Sequence, residues 1–443
     1  MSLFKAINSI FQILVPDTNS QGFRRYFLNT SWLFAEQVLR IIAGLIVGIY
    51  VARYLGPQQF GVYSYVIAFV AIFATVARLG IDSVLVRYLV NNPTAGDLYL
   101  GTAFWLKLVG SFLTLGLIAV TVKFSSTEAD NKIYILIIAS GLILQSFDVV
   151  DCYFQSKVLS KYVSICRLAQ LGLSSTLKIY LMFIEADLFW FIIVLLIDQL
   201  SLAAFLSFSY WRQNTSCYLT VFDKGIAWTV LKSSWPIIVS SVAVSLYMRI
   251  DQIMIMEMIG NKQVGVYSAA VRLSEAWYFV PLVIAKSLFP AILNAKKISE
   301  KLYSDRLDLF FRTMIYLAVL VAIFVTFFSE RIIIGIYGAD YREAASVLAI
   351  HIWTGIFVSL GVVNGYWFIA ENLQKFSMFN TLLGLVVNII LNYFLMPVYG
   401  ASGAAAATLV SYGFSAYFLL MIFSETRVQF FKITFSIFPK ISS

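Results

Sequence analysis

Charge is scarce in this sequence. Asp, Glu, Lys and Arg make up 12% of its 443 residues, where a soluble domain carries about 25%. No soluble core hides the apolar surface that follows from 60% hydrophobic residues, so the solvent must be a bilayer. Histidine is nearly absent. The single one, His351, cannot build a metal or general-base cluster and is expected to pack near a helix end. The three cysteines, Cys152, Cys166 and Cys217, make no disulfide framework and are expected near the cytoplasm, reduced. No Walker-type phosphate loop occurs, which excludes ATP hydrolysis by that route. The longest stretch between apolar runs, 212–232, leaves no room for a soluble catalytic domain.

What is present is a series of apolar runs long enough to cross a membrane, which takes roughly 20 residues each. The chain reads as an all-α polytopic membrane protein of about 12 spans. They fall near 29–53, 60–80, 98–122, 132–152, 163–184, 187–211, 233–259, 265–293, 308–328, 347–369, 376–396 and 403–424. Aromatics, at 16%, suit lipid-facing surfaces and interfacial belts. No cleavable signal is expected. Instead Leu3, Phe4, Ile7, Ile10, Phe11 and Leu14 recur at helical spacing, as in a helix lying on the membrane.

The net charge of +9 does not mark a nucleic-acid surface, because the cations are dispersed between apolar runs. With the N-terminus inside, the inner loops hold 19 Lys and Arg and the outer loops 7. That bias puts both termini in the cytoplasm.

The sequence repeats itself. LGPQQFGVYS at 55–64 and IGNKQVGVYS at 259–268 match at six of ten positions, 204 residues apart, and a Ser-Trp pair stands upstream of each (Ser31-Trp32, Ser234-Trp235). Six spans per half give both halves the same orientation. The expectation is two pseudo-symmetric six-helix lobes around a central cavity, on an axis along the membrane normal. The segments are an N-terminal cytoplasmic stretch 1–27, a lobe 28–211, a linker 212–232, a second lobe 233–424 and a basic tail 425–443.

Cations inside the spans cost about 2.5–3.5 kcal/mol or more at the membrane centre and normally face a bundle interior. They are Arg40, Arg78, Lys107, Lys178, Arg249 and Lys286, with Arg272 also within the eighth span. Gln37, Arg40, Gly44 and Gly48 share one helical face, as do Arg167, Ser174 and Lys178. Ser241, Ser245, Arg249 and Gln252 line up on the seventh span, and Ser268, Arg272, Glu275 and Lys286 on the eighth. Arg40 lies about 16 Å into its helix, near the midplane. Arg78, near an interface, is expected to snorkel. The others form a ladder of positive charge suited to a phosphate or pyrophosphate. Arg40, Lys178 and Arg249 are the expected diphosphate contacts, with Lys107, Lys286 and Arg272 beside them. Among the acids, Glu36, Asp251 and Glu275 either pair with these cations or carry a coupling proton or sodium ion. An ion pair between Glu36 and Arg40, one turn apart, competes with a cavity role. No metal or cofactor is expected.

At ARYLGPQQFGVYSY (52–65) and YMRIDQIMIMEMIGNKQVGVYSAA (247–270) the chain resembles the Wzx-type oligosaccharide flippases of bacterial O-antigen and capsule synthesis. These are relatives of the MATE exporters and lipid II flippases. The resemblance runs over the whole chain. It implies a multi-pass protein of the bacterial inner membrane that moves an undecaprenyl-diphosphate-linked oligosaccharide from the cytoplasmic to the outer leaflet, with membrane lipid and a polysaccharide polymerase as partners. It transfers no functional residue by motif. A MATE-like multidrug or cation antiporter is the alternative on the same fold, although cationic drugs would favour an acidic cavity. A polymerase or ligase would present catalytic residues in a large outer loop, and the outer stretches 185–187 and 397–402 hold no Lys, Arg or His.

Overall fold

The computed structural model of the protein describes residues 21–125, 128–213 and 217–437, with side chains described between 29 and 434. The expected interfacial helix at Leu3–Leu14 lies outside the described residues. Every regular element among those described is helical. The helices are α1 Gln21–Ala77, α2 Ile81–Asn91, α3 Gly96–Phe124, α4 Ala129–Ser140, α5 Val149–Ser156, α6 Ser160–Phe183, α7 Leu188–Trp211, α8 Lys224–Met258, α9 Asn261–Ala276, α10 Phe279–Ile298, α11 Glu300–Tyr337, α12 Ala344–His351, α13 Thr354–Ala370, α14 Gln374–Ala416 and α15 Ser424–Ile437.

Nine helical segments among the described residues are long and apolar enough to cross a membrane. Two of them cross twice. Asn29–Asn91 has 63 residues, about 95 Å of helix against a hydrocarbon core of about 30 Å. It is broken at Gly56, whose φ of 66° and ψ of 170° no helix accommodates. Gln374–Met421 is broken in the same way at Gly400. The twelfth crossing is α6, 24 residues long, whose Ser, Arg and Lys content makes it the most polar span. The chain is thus a twelve-span multi-pass membrane protein among its described residues. The outward faces carry the expected lipid-facing side chains, with Leu113, Phe124, Phe183 and Phe327 all exposed.

The core has one body at one end of the molecule and two at the other. Around the Gly56 and Gly260 turns, Val51, Phe60, Tyr63 and Phe191 from the first half pack in a single cluster with Ile255, Tyr267, Tyr341 and Ala404 from the second. Tyr341 Oη donates across the halves to the Ala52 carbonyl at 2.7 Å. At the opposite end Ile81, Phe104, Phe154 and Tyr210 form one cluster of the first half, which the start of α8 joins through Val230. Ile292, Tyr303, Phe311 and Trp367 form a separate one of the second. Two lobes sharing a core at one end and parting at the other make a cleft closed at the Gly56 and Gly260 end. The segment expected as a basic tail folds as α15 and buries Ile433 in the second-half cluster.

A cationic pocket where the two lobes meet

The repeat seals the closed end. Gly56 and Gly260 occupy matched positions, and both have positive φ, 66° and 118°, which glycine alone adopts without strain. Each lets the chain turn and start the next span. Five residues on, Gly61 and Gly265 meet across the lobes. A Cβ on Gly61 would lie 1.8 Å from the Asn261 carbonyl oxygen, and a Cβ on Gly265 would lie 1.9 Å from that of Pro57. Pro57 and Asn261 are also matched positions, so the contact is reciprocal, as at a two-fold interface.

One turn below the seal lies a pocket of about 160 Å³ lined by Ser64, Ile67, Arg249, Gln252, Ser268, Val271, Arg272 and Glu275. Ser64 and Ser268 are again matched, and their buried hydroxyls find no hydrogen-bond partner among the described residues. Arg272 reaches this place because Gly48 of α1 has no side chain. A Cβ there would lie 2.3 Å from Arg272 Nη1. The guanidinium also sits over the Phe60 ring at 5.2 Å. Two guanidinium groups against one carboxylate leave the pocket one positive charge, in a setting where planar forks favour a phosphate or carboxylate.

The other expected cations are distributed differently. Arg40 is half exposed on the α1 face that carries Gly44 and Gly48, about 12 Å along the helix from Gly48. Its Nε holds the buried Glu36 at 3.2 Å, and Arg167 approaches the same carboxylate at 3.8 Å. Lys286 lines a cavity of about 380 Å³ between α1 and α10 with Thr30, Phe34, Gln37 and Phe279. Lys178 lies inside the first lobe, donating to Ser174 at 2.8 Å and to Asp198 at 3.4 Å. Lys107 does not face a cavity. It is 1% exposed and bound by Asp82, because an unpaired ammonium at that depth would be prohibitively costly. The ladder is therefore two sets, with Arg249, Arg272, Arg40 and Lys286 along the inter-lobe cleft and Lys107 and Lys178 paired within the first lobe. Arg78 stays exposed just past the end of α1. Its Nε donates to Gln145 Oε1 at 3.2 Å.

Asp251 is 3% exposed and meets no cation within ion-pair distance among the described residues. Asn392 Nδ2 donates to its Oδ1 at 2.6 Å, while Thr408 Oγ1 and Tyr267 Oη donate to Oδ2 at 2.6 and 2.5 Å. A buried carboxylate without a counter-charge either takes a proton or binds a small cation. Asn388, beside Asn392 at 3.0 Å, completes an oxygen-rich nest between α8 and α14. Sequence reading passed over Asn388, Asn392 and Thr408. The signal was there in an Asn pair at i, i+4 within an apolar span. His351 is buried against Ser274 at 2.9 Å, a packing role. Among the described residues no cluster of His, Cys, Asp and Glu could hold a metal.

The family model described as "Polysaccharide biosynthesis protein" matches residues 27–296. That described as "Lipid II flippase MurJ" matches residues 279–440. A curated relative, the probable low-salt glycan biosynthesis flippase Agl15 of Haloferax volcanii, is 27% identical over 40% of this chain and 37% of its own length. The chain spans less than half the length of the curated relatives it matches. Among solved structures, an inward-facing multidrug resistance MATE family transporter of the MOP superfamily aligns with a TM-score of 0.71 at 15% identity, over 91% of this chain and 96% of that one. Lipid II flippase MurJ in an inward closed conformation aligns with a TM-score of 0.64 at 16% identity, over 93% and 90%. These two share the fold. The chain belongs to the polysaccharide biosynthesis protein family.

Proposed function

We propose that this member of the polysaccharide biosynthesis protein family is a flippase. It moves an undecaprenyl-diphosphate-linked oligosaccharide from the cytoplasmic to the outer leaflet of a bacterial inner membrane, with both termini in the cytoplasm. The observation that carries the reading is the pocket below the seal. Arg249 and Arg272 converge there beside two serine hydroxyls without a partner among the described residues, at the blind end of a cleft between the lobes. A diphosphate supplies the acceptor oxygens those groups lack. Lys286 at the α1–α10 cavity and Arg40 further in draw the anion along the cleft, each by charge in a low-dielectric channel. A net positive pocket disfavours a cationic drug. By the loop charge bias the sealed end is outside, so the closed seal and open cleft correspond to the state that loads from the cytoplasm.

Asp251 is the acid best suited to couple transport to a proton or sodium gradient, since Glu36 is already paired with Arg40 and Glu275 shares its pocket with two arginines.

The test is flipping of a fluorescent undecaprenyl-diphosphate N-acetylglucosamine in proteoliposomes. Arg249→Gln and Arg272→Gln should each cut the rate at least tenfold with normal insertion, and Arg249→Lys should retain part of it because charge survives without the fork. Undiminished flipping in the Arg40, Arg249 and Arg272 neutral variants would remove the cationic-pocket argument.

A further inference from the structure

The first lobe carries an open-sided cavity that the diphosphate reading leaves unused. It measures about 390 Å³ and lies between the second half of α1, the fourth span and α7. Ile67 lines both this cavity and the Arg249–Arg272 pocket, so the two adjoin. Its polar groups form one chain. Arg78 Nε donates to Gln145 Oε1 at 3.2 Å, Gln145 Nε2 donates to Gln199 Oε1 at 3.3 Å, and Gln199 Nε2 reaches the Ile138 carbonyl at 3.5 Å. Asp198 borders the same space. Its Oδ2 accepts from Ser174 at 2.9 Å and from Lys178 at 3.4 Å.

The backbone around Gln145 is unusual. Gly141–Asp148 in the middle of the fourth span is an eight-residue 3-10 helix. Such runs seldom exceed three or four residues, and their hydrogen bonds are poorer. In a bilayer, where no water repairs a strained ladder, that stretch is costly. Its effect is local. Gly141 has no Cβ, and the Gln199 amide occupies the room one would need, 2.7 Å away. The span gives up regular helix where two glutamines and an arginine are brought to one wall.

We infer that this cavity is a sugar subsite. It takes the hydroxyl groups of the sugar residue next to the diphosphate while the phosphates sit on Arg249 and Arg272. The inference rests on the proposed flippase reading and deepens it. A guanidinium fork at one end, a carboxylate at the other and amides between them offer donors and acceptors in alternation. Sugar hydroxyls, each donor and acceptor at once, match that alternation. Among the described residues the Arg78 guanidinium spends only its Nε–H on the protein. Leu142 and Leu195 supply an apolar wall for the C–H face of a ring. The volume sits at the low end of ligand pockets, which run about 300–1,000 Å³, room for one sugar and no oligosaccharide. The cavity would thus read the first sugar and leave the distal ones to the open cleft.

The experiment measures binding of three lipids to the full-length protein in nanodiscs. They are bare undecaprenyl diphosphate and the same carrier bearing N-acetylglucosamine or galactose. The wild type should bind at least one glycosylated carrier about tenfold tighter than the bare one, the worth of one or two net hydrogen bonds. Gln145→Leu and Gln199→Leu should bring that ratio to within about twofold of unity with the bare-carrier affinity unchanged. Gly141→Ala, which only displaces the Gln199 amide, should lower the ratio in a protein that unfolds at the wild-type temperature. Arg249→Gln should weaken all three lipids alike. Equal binding of all three lipids by the wild type would overturn the subsite and leave the flippase reading standing. So would glutamine variants that weaken the bare carrier as much as the glycosylated ones. If the wild type binds none of the three, the flippase reading fails and the subsite with it.

Discussion

Replacing Gly61 by alanine adds a single methyl group where the structure allows none. The added Cβ would stand 1.8 Å from the Asn261 carbonyl oxygen, where an ordinary contact begins at 3.4 Å. The obstacle is backbone, so no rotamer change relieves it. The second-half α9 must retreat from α1 by about 1.6 Å, the difference between those two distances. A gap of 0.5–1 Å already forfeits a quarter to a half of a dispersion well, so this retreat undoes most of the packing along the seal. Overpacking of this kind costs about 1–3 kcal/mol. Taking about 2 kcal/mol, the closed population falls roughly 30-fold relative to the open one. Gly265→Ala meets the Pro57 carbonyl and should act alike. The two together should fall short of additive, because both part the same interface. Gly44→Ala is the control, since nothing lies within 4 Å of its added carbon. The assay places spin labels at Gln58 and Lys262, after Cys152, Cys166 and Cys217 are replaced. The wild type should give a short distance, and Gly61→Ala a longer or bimodal one. A short crosslink between the same positions should block transport and a long one should permit it. If the distance distribution of Gly61→Ala coincides with that of the wild type, the glycine pair is not the seal, and rocking about this contact must be abandoned.

Other expectations follow from single contacts. Asp82→Ala should destabilise the detergent-solubilised protein by about 3–5 kcal/mol, because it leaves the Lys107 ammonium buried and unpaired. Lys107→Met should cost far less by thermal unfolding. Asp251→Asn should insert normally yet lose any acceleration of transport by an imposed proton or sodium gradient; acceleration that survives would exclude Asp251 as the coupling acid. Cysteines at Lys297 and Ala186 should label from opposite faces of intact cells, and labelling of both by one impermeant reagent would contradict the twelve-span topology. Glu343 is held below the usual carboxylate range by the hydrogen bond from Lys262, 2.6 Å away, aided by Gln263. With its folded pKa depressed, the stability it adds is present above the ordinary Glu range and lost as pH falls through the folded value. Acid should therefore lower the melting temperature less in Lys262→Met than in the wild type, most visibly below about pH 4.5.

Spans and the two-lobe repeat were legible because each rests on a signal local in sequence. Apolar length gives a span, and LGPQQFGVYS and IGNKQVGVYS mark the matched positions of the two halves. The pairing of internal cations was not legible. Lys107 meets Asp82 and Lys178 meets Asp198 across different helices, and no periodicity within one helix reports which neighbour supplies a counter-charge. Arg249 and Arg272 share a pocket although 23 positions and a turn separate them. Helical spacing assigns each to an inward face and does not say that the faces coincide. Gln145 was invisible for a further reason. The 3-10 geometry rotates it by about 120° per residue where a helical wheel assumes about 100°, and over several residues the error moves a side chain off its expected face.

The repeat separates what was duplicated from what was not. Gly56 and Gly260, Gly61 and Gly265, Ser64 and Ser268 keep their identities at an offset of 204, and all of them build the turn, the seal and the roof of the pocket. Charged positions do not follow. At the same offset Arg249 corresponds to Leu45, Asp251 to Val47, Arg272 to Ala68 and Glu275 to Ala71. A hinge between two lobes needs symmetry, because a reciprocal contact closes and opens as one unit. Recognition of the lipid-linked anion proposed as substrate needs the opposite, since one end of such a molecule is charged and the other apolar. The chain meets both demands by keeping backbone devices in common and varying the side chains that face the cleft. It follows that exchanging a matched pair of seal residues between the halves, Pro57→Asn with Asn261→Pro, tests whether the contact depends on its carbonyls or on its side chains. The carbonyl oxygens are what the glycines abut. An asparagine can adopt the backbone conformation that Pro57 has, and position 261 is the first residue of α9, where proline is tolerated. The exchanged protein should keep the wild-type distance between positions 58 and 262. A lengthened distance would mean that side-chain identity holds the seal, and the backbone account of the duplication would be wrong.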